Sequence, residues 1–135
     1  MPTTQFAYAN GDINICRIVV ADLTIPNGVV QATASSVLPL GVAWDRSKLE
    51  PNPNYTSAQL AIAANAGDGI GVFTDGEICS VYCNDGSITA GQLVMADGSG
   101  KAVAGTSGHY VVGRAQSVGV ADTLLTIEVK CTWLN

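Results

Sequence analysis

The chain has 135 residues, 47% of them apolar and only 13% charged. That length fits one domain, and the charged share is about half of what soluble domains usually carry. Six Lys and Arg stand against eleven Asp and Glu, for a net charge of −5, and a surface of that sign repels phosphate backbones, so no direct nucleic-acid partner is expected. No apolar run reaches the roughly 18 residues of a spanning helix, so no membrane partner is expected either. The start, MPTTQFAYANGD, has no basic segment followed by an apolar one, so no secretory signal is expected.

Residues 1–12 alternate polar and aromatic types (Gln5, Phe6, Tyr8, Asn10) and end on the Asn10-Gly11-Asp12 turn signal. Their lack of apolar periodicity predicts an extended arm outside the core. INICRIVVA (13–21) is rich in β-branched residues and predicts a strand. Pro26-Asn27-Gly28 is a turn, and VVQATA (29–34) and VLPLGVAW (37–44) follow as strands. Pro39 has no N–H for a ladder, which limits the latter to an edge or an irregular start. DRSKLEPNPNYTS (45–57) concentrates proline, asparagine and charge and predicts an exposed contact loop, which holds Asn54 and Tyr55. AQLAIAANA (58–66) fits a short helix capped by Ser57 and Gly67, and fits a strand nearly as well.

From Gly67 onward, short apolar runs alternate with glycine-bearing turns. GIGVFT (69–74) and EICSVYC (77–83) flank Asp75-Gly76, a hairpin signal. QLVMA (92–96) and KAVAG (101–105) flank the four-residue connection Asp97-Gly98-Ser99-Gly100. YVVGRAQSV (110–118) leads to TLLTIEVKCTWL (123–134), where Leu125, Ile127, Val129, Cys131 and Trp133 share one face and predict a one-sided closing strand. LPLGVAWDRS (38–47) and YVVGRAQSVG (110–119) echo each other, two apolar residues ahead of Gly-X-Ala and polar residues after it. The echo fits a repeated corner of the fold and fits chance equally well. The pattern as a whole predicts an all-β single domain over residues 13–135, a small barrel or sandwich with at most one short helix.

The chemistry of catalysis is thin. The only histidine, His109, follows Gly108 in a loop signal and has no nucleophile motif beside it. The glycines of Gly67-Asp68-Gly69-Ile70-Gly71 lead into strands rather than a helix, so no dinucleotide is expected there. Asp97-Gly98-Ser99-Gly100 lacks the carboxylates of a calcium loop, and Asp75, Glu77 and Asp85 sit in turn dipeptides where acidic residues serve the backbone. Cys79 and Cys83, four apart on a strand, lie roughly 13 Å from each other, too far for a disulfide or a shared zinc. Cys16 and Cys131 fall in other apolar runs, so reduced packing cysteines are expected, with a cross-strand bridge as the alternative. No enzyme, cofactor or metal is expected.

The run Gly86-Ser87-Ile88-Thr89-Ala90-Gly91-Gln92-Leu93-Val94, followed by Asp97-Gly98-Ser99-Gly100-Lys101-Ala102-Val103 and Val112-Gly113-Arg114-Ala115, resembles the capsid decoration (cement) proteins of tailed bacteriophages. The resemblance covers residues 67–135, and the first half only in outline through Gly41-Val42-Ala43. It implies a β protein on the outer face of the virion head, made in the host cytoplasm. There it would act as a trimer that bridges neighbouring major capsid protein subunits and stabilises the head. Gln5, Phe6, Tyr8, Asn10, Asn54 and Tyr55 are then the capsid-contact candidates, with the 1–12 arm lying along the shell and Phe6 and Tyr8 as its anchors. Two other functions fit similar sequences: a tail or baseplate structural protein, and a carbohydrate-binding module that would need its scattered aromatics (Trp44, Tyr55, Tyr82, Tyr110, Trp133) brought onto one face.

Overall fold

The computed structural model describes residues 5–43, 62–64, 67 and 69–135. These form twelve strands and no helix: β1 (Gln5–Ala9), β2 (Ile13–Asn14), β3 (Ile18–Asp22), β4 (Gly28–Gln31), β5 (Pro39–Ala43), β6 (Ile62–Ala64), β7 (Gly69–Phe73), β8 (Ile78–Cys83), β9 (Leu93–Ala96), β10 (Ala102–Ala104), β11 (His109–Ala115) and β12 (Thr123–Leu134). They close into two five-stranded barrels, β1-β4-β3-β5-β7 and β10-β8-β12-β11-β9, while β2 and β6 make a separate two-stranded sheet. The all-β expectation holds, with two barrels where one barrel or sandwich was expected.

The N-terminal segment corrects its sequence reading. QFAYA is not an arm: β1 pairs antiparallel with β7 and parallel with β4, and Ala7 and Ala9 are fully buried. The alternation is that of a strand, but with alanine on its inward side, and a five-stranded barrel is too narrow for large residues at every inward position. INICRIVVA breaks in two at Cys16, which takes a left-handed φ of 53°. Ile62–Ala64 is a strand paired with β2, so the helical alternative fails there; the rest of 58–66, apart from those three residues, and the 45–57 loop lie outside the described residues. Pro39 pairs with Val20 at the first position of β5, beside a register shift, as its missing N–H requires.

Asp75-Gly76 is a turn but not a hairpin. Glu77 N–H donates to the Thr74 carbonyl, and Gly76 has φ 93°. A positive φ at the third residue only is the type II pattern, which splays the flanking strands instead of pairing them. The turn therefore carries the chain from β7 in the first barrel to β8 in the second. Asp97–Gly100 is the expected hairpin, with β9 and β10 antiparallel and the Asp97 carboxylate accepting from the Ser99 and Lys101 N–H groups at 2.7 and 2.9 Å.

The two barrels repeat one wiring diagram. β1, β3, β4, β5 and β7 correspond in chain order to β8, β9, β10, β11 and β12. Each barrel has a single parallel pair, β1 with β4 and β8 with β10, and the other four pairings are antiparallel. The registers agree residue by residue. Val19 faces Gly41 and Gln31 as Val94 faces Gly113 and Ala104; Ala43 faces Val72 as Ala115 faces Ile127. Loop bonds repeat too. Asn10 N–H donates to the Val29 carbonyl as Asn84 N–H does to Ala102, and the residue-67 N–H donates to Ala9 as Asp122 N–H does to Cys83. Gly67 and Asp122 both carry a positive φ, 89° and 61°. The glycine echo thus marks a repeated corner: a Cβ on Gly41 would strike the Phe73 carbonyl, and one on Gly113 the Glu128 carbonyl, which is its counterpart.

Two apolar clusters hold the molecule together. Ala7, Ala9, Ile13, Val19, Val29, Ala43, Ile70 and Val72 fill the first barrel. The second barrel's interior, including Val81, Val94, Leu125, Ile127 and Val129, joins Ile18, Ala32 and Val42 from the outside of the first. Successive residues of β3 and β5 therefore face opposite ways, Val19 and Ala43 into their own barrel, Ile18 and Val42 onto the other. β12 is one-sided as expected only as far as Val129; Cys131 is half-buried and Trp133 is 47% exposed, because the strand's end runs past the barrel.

Candidate functional site

The contact candidates do not gather as one arm. Gln5 and Phe6 are ladder residues opposite Val72 and Gly71, and Asn54 and Tyr55 lie outside the described residues. Tyr8 points out of the first barrel. Asn10 spends its amide locally, donating to Asp22 Oδ2 at 2.6 Å and Thr24 Oγ1 at 3.1 Å. The same clamp recurs in the second barrel, where the Asn84 amide donates to Asp97 Oδ2 at 2.8 Å. Asn10, exposed, holds the β3–β4 turn through these bonds.

Asp22 organises that turn. Its Oδ1 accepts from the Thr24 hydroxyl at 2.7 Å and the Thr24 N–H at 3.0 Å. Bonds from the Thr24 hydroxyl, the Asn10 amide and the Thr24 N–H stabilise the carboxylate and hold its pKa below the ordinary value. The fixed turn displays Leu23 with 95% of its surface open. Beside it lies a groove of about 200 Å³ between Leu23, Ile25, Gly28 and Leu40. Val37 and Leu38, both about half-exposed, lead into β5 on the same barrel. The sequence signal for this surface is two lone aliphatics in a turn, Leu23 and Ile25 between Asp22 and Pro26, where turn chemistry calls for polar residues.

A second exposed feature lies at the far end of β11 and β12. Tyr110 and Trp133 are directly opposed across the ladder and meet edge to face, centroids 4.8 Å apart at 72°. Strand pairing, not sequence proximity, joins these two aromatics. Elsewhere, Tyr82 lies under the Arg17 guanidinium at 5.3 Å. His109 opens β11 instead of sitting in a loop, with its Nδ1 2.7 Å from the Ser35 hydroxyl, a link between the segment after β4 and the second barrel.

Among the described residues, no three His, Cys, Asp or Glu side chains gather as metal ligands. All four cysteines stand as thiols. Burial pushes Cys79 and Cys131 up to about 12, reinforced by Cys16 in the first case and Asp75 in the second.

No protein-family model matches the chain, and no curated protein matches it either. Among solved structures it is similar to the crystal structure of the head fiber gp8.5 N base in bacteriophage phi29. The match has a TM-score of 0.62 at 15% identity and covers 100% of this chain and 99% of that one. The likeness establishes a shared fold from end to end, both barrels included.

Proposed function

We propose that this chain is a non-catalytic structural protein of a bacteriophage head, seated on the outer face of the capsid. The observation that carries the reading is the end-to-end likeness to a head fiber base, which covers nearly all of both chains. Two features of the chain support it. Its conspicuous surface is apolar and built on turns, no metal-ligating cluster gathers among the described residues, and its net charge of −5 suits a position away from packaged DNA. In the finer form of the proposal, the protein binds the major capsid protein and braces neighbouring subunits, as the resemblance to decoration proteins implies.

The test is direct. Purified protein is mixed with expanded, DNA-filled heads lacking it and sedimented, and bound protein is located by cryo-electron microscopy. Stoichiometric co-sedimentation with density on the outer shell is expected. Protein that stays in the supernatant with heads but co-sediments with tails refutes the head assignment. Heads that bind it yet lose DNA on heating as readily as bare heads would leave the location and refute the bracing role.

A further inference from the structure

Within the chain, the two barrels meet through different faces. The first barrel offers a donor face, the outer sides of β3 and β5: Ile18, Val20 and Val42 pack onto the second barrel's cluster. The second barrel receives it on an acceptor face made of its β9–β10 turn, Tyr82 and Tyr110. Arg17 and Gln31 side chains donate to the Ser99 carbonyl at 3.0 and 2.9 Å. Backbone N–H groups of Ile18, Tyr82 and Tyr110 bond Gly100, Cys16 and Ser35 across the junction.

Because the barrels are register-equivalent, each face has a counterpart on the other barrel, and the junction within the chain engages one copy of each. The acceptor face repeats on the first barrel. Tyr8 stands where Tyr82 does, the Asp22–Asn27 turn where Asp97–Gly100 does, and Leu38 where Tyr110 does. Tyr8, Leu23, Val37 and Leu38 are 49, 95, 51 and 50% exposed, four of the nine large apolar side chains exposed among the described residues. The donor face repeats on the second barrel, with Leu93 in place of Ile18, Met95 in place of Val20 and Arg114 in place of Val42. Leu93 and Met95 are partly exposed, and Arg114 is exposed with its guanidinium donating to the Gly91 carbonyl.

We propose that the donor face of the second barrel docks on the acceptor face of the first barrel of another copy of this chain, repeating between chains the contact made within each. Leu93 and Met95 meet Leu23 and Leu38, and Arg114 approaches the turn held by Asp22. The two surfaces differ and lie on different barrels, so the contact is head-to-tail, and it propagates until a ring closes. This inference does not rest on the capsid reading, since it concerns the purified chain alone.

The test is solution mass by light scattering at ~100 μM, where any interface tighter than that is populated. Wild type is expected to run as an oligomer. Leu23→Asp on the acceptor and Arg114→Glu on the donor should each weaken association more than tenfold and give monomer, with an unchanged circular dichroism spectrum. If Arg114→Glu loses that spectrum, Met95→Glu takes its place. Mixing the two variants leaves one intact donor and one intact acceptor, so a one-to-one heterodimer and nothing larger is expected. A monomeric wild type, variants that keep the full oligomer, or a mixture that stays monomeric would each overturn the proposal.

Discussion

Replacing Gly113 by alanine inserts one methyl group where the fold leaves no room. A Cβ at that position would lie 3.0 Å from the Glu128 carbonyl carbon, 3.1 Å from Val129 Cα, and closer still to the Glu128 oxygen. All three atoms are backbone of β12, the strand that pairs with β11 and with β8, so no side-chain rotation relieves the clash. The ladder itself must separate, and such overpacking costs about 2–3 kcal/mol. In a chain of this size that corresponds to a drop in Tm of roughly 6–15 °C. Gly41→Ala should cost as much, because its Cβ would meet the Phe73 carbonyl carbon at 2.9 Å and Val72 Cγ1 at 3.1 Å. Gly86→Ala is the control, with its nearest neighbour 4.0 Å away, and should shift stability by no more than about 0.5 kcal/mol. Urea unfolding followed by tryptophan fluorescence reads all three. Gly113→Ala and Gly41→Ala as stable as Gly86→Ala would refute both the steric argument and the equivalence of the two corners.

Three further outcomes follow from the geometry. Ile127→Asp or Val129→Asp places a carboxylate in a fully buried site and should abolish soluble expression, whereas Glu128→Gln, on the exposed face of the same strand, should express as wild type does. Cys79 and Cys131, pushed up to about 12 by burial, should resist iodoacetamide at pH 8 until denaturant is added; rapid labelling of both in the native protein, counted by mass, would contradict their placement. Asp22 and Asp85 have folded pKa values below the ordinary one, through bonds from Thr24 and Asn10 and from Ser87 and Ala104 respectively. Their contribution is therefore present above the unfolded pKa of about 4 and is lost as pH falls through the lower folded value. The double variant Asp22→Asn, Asp85→Asn should be less stable than wild type at pH 7 and lose less on acidification, read as urea midpoints at pH 7 and pH 3.

The sequence made the strands legible but not their partners. Strict alternation located β12, and Asp97–Gly100 identified a true hairpin because its turn residues and its pairing are both local. Asp75-Gly76 carries the same kind of signal, yet it joins two barrels, because a dipeptide specifies a reversal and leaves open which strand the chain meets next. The first strand was missed for another reason. Hydrophobic patterning weighs large side chains, and Ala7 and Ala9 carry the inward alternation in a barrel too narrow for larger ones. The exposed apolar surface was partly visible in Tyr8, while Leu23, the most exposed apolar residue described, was hidden in a turn that Pro26-Asn27-Gly28 explains on its own. Asn10 was legible as polar and exposed, but its commitment to Asp22 depends on a bond twelve residues away.

Why the duplication leaves so little trace follows from what each position must do. Inside a barrel, equivalence demands only that a site be apolar and of roughly the right volume, since cores tolerate exchange at conserved total size. Ile70 and Leu125, Val72 and Ile127, Ala9 and Cys83 are such exchanges, all buried in both members. Identity survives where geometry admits one solution: the glycine facing a carbonyl at Gly41 and Gly113, the alanine two residues on, and the asparagine that clamps an aspartate at Asn10 and Asn84. Outside, the copies have parted company. The second barrel's turn is a compact Asp-Gly-Ser-Gly that fits beneath the first barrel, while the first barrel's turn is longer and includes Leu23 and Ile25. A turn that faces solvent has no reason to add aliphatic side chains, and burying a leucine is worth about 1.5–3 kcal/mol. Under the proposed docking the divergence falls where the two copies meet different neighbours, the partner barrel of the same chain in one case and a second copy of the chain in the other.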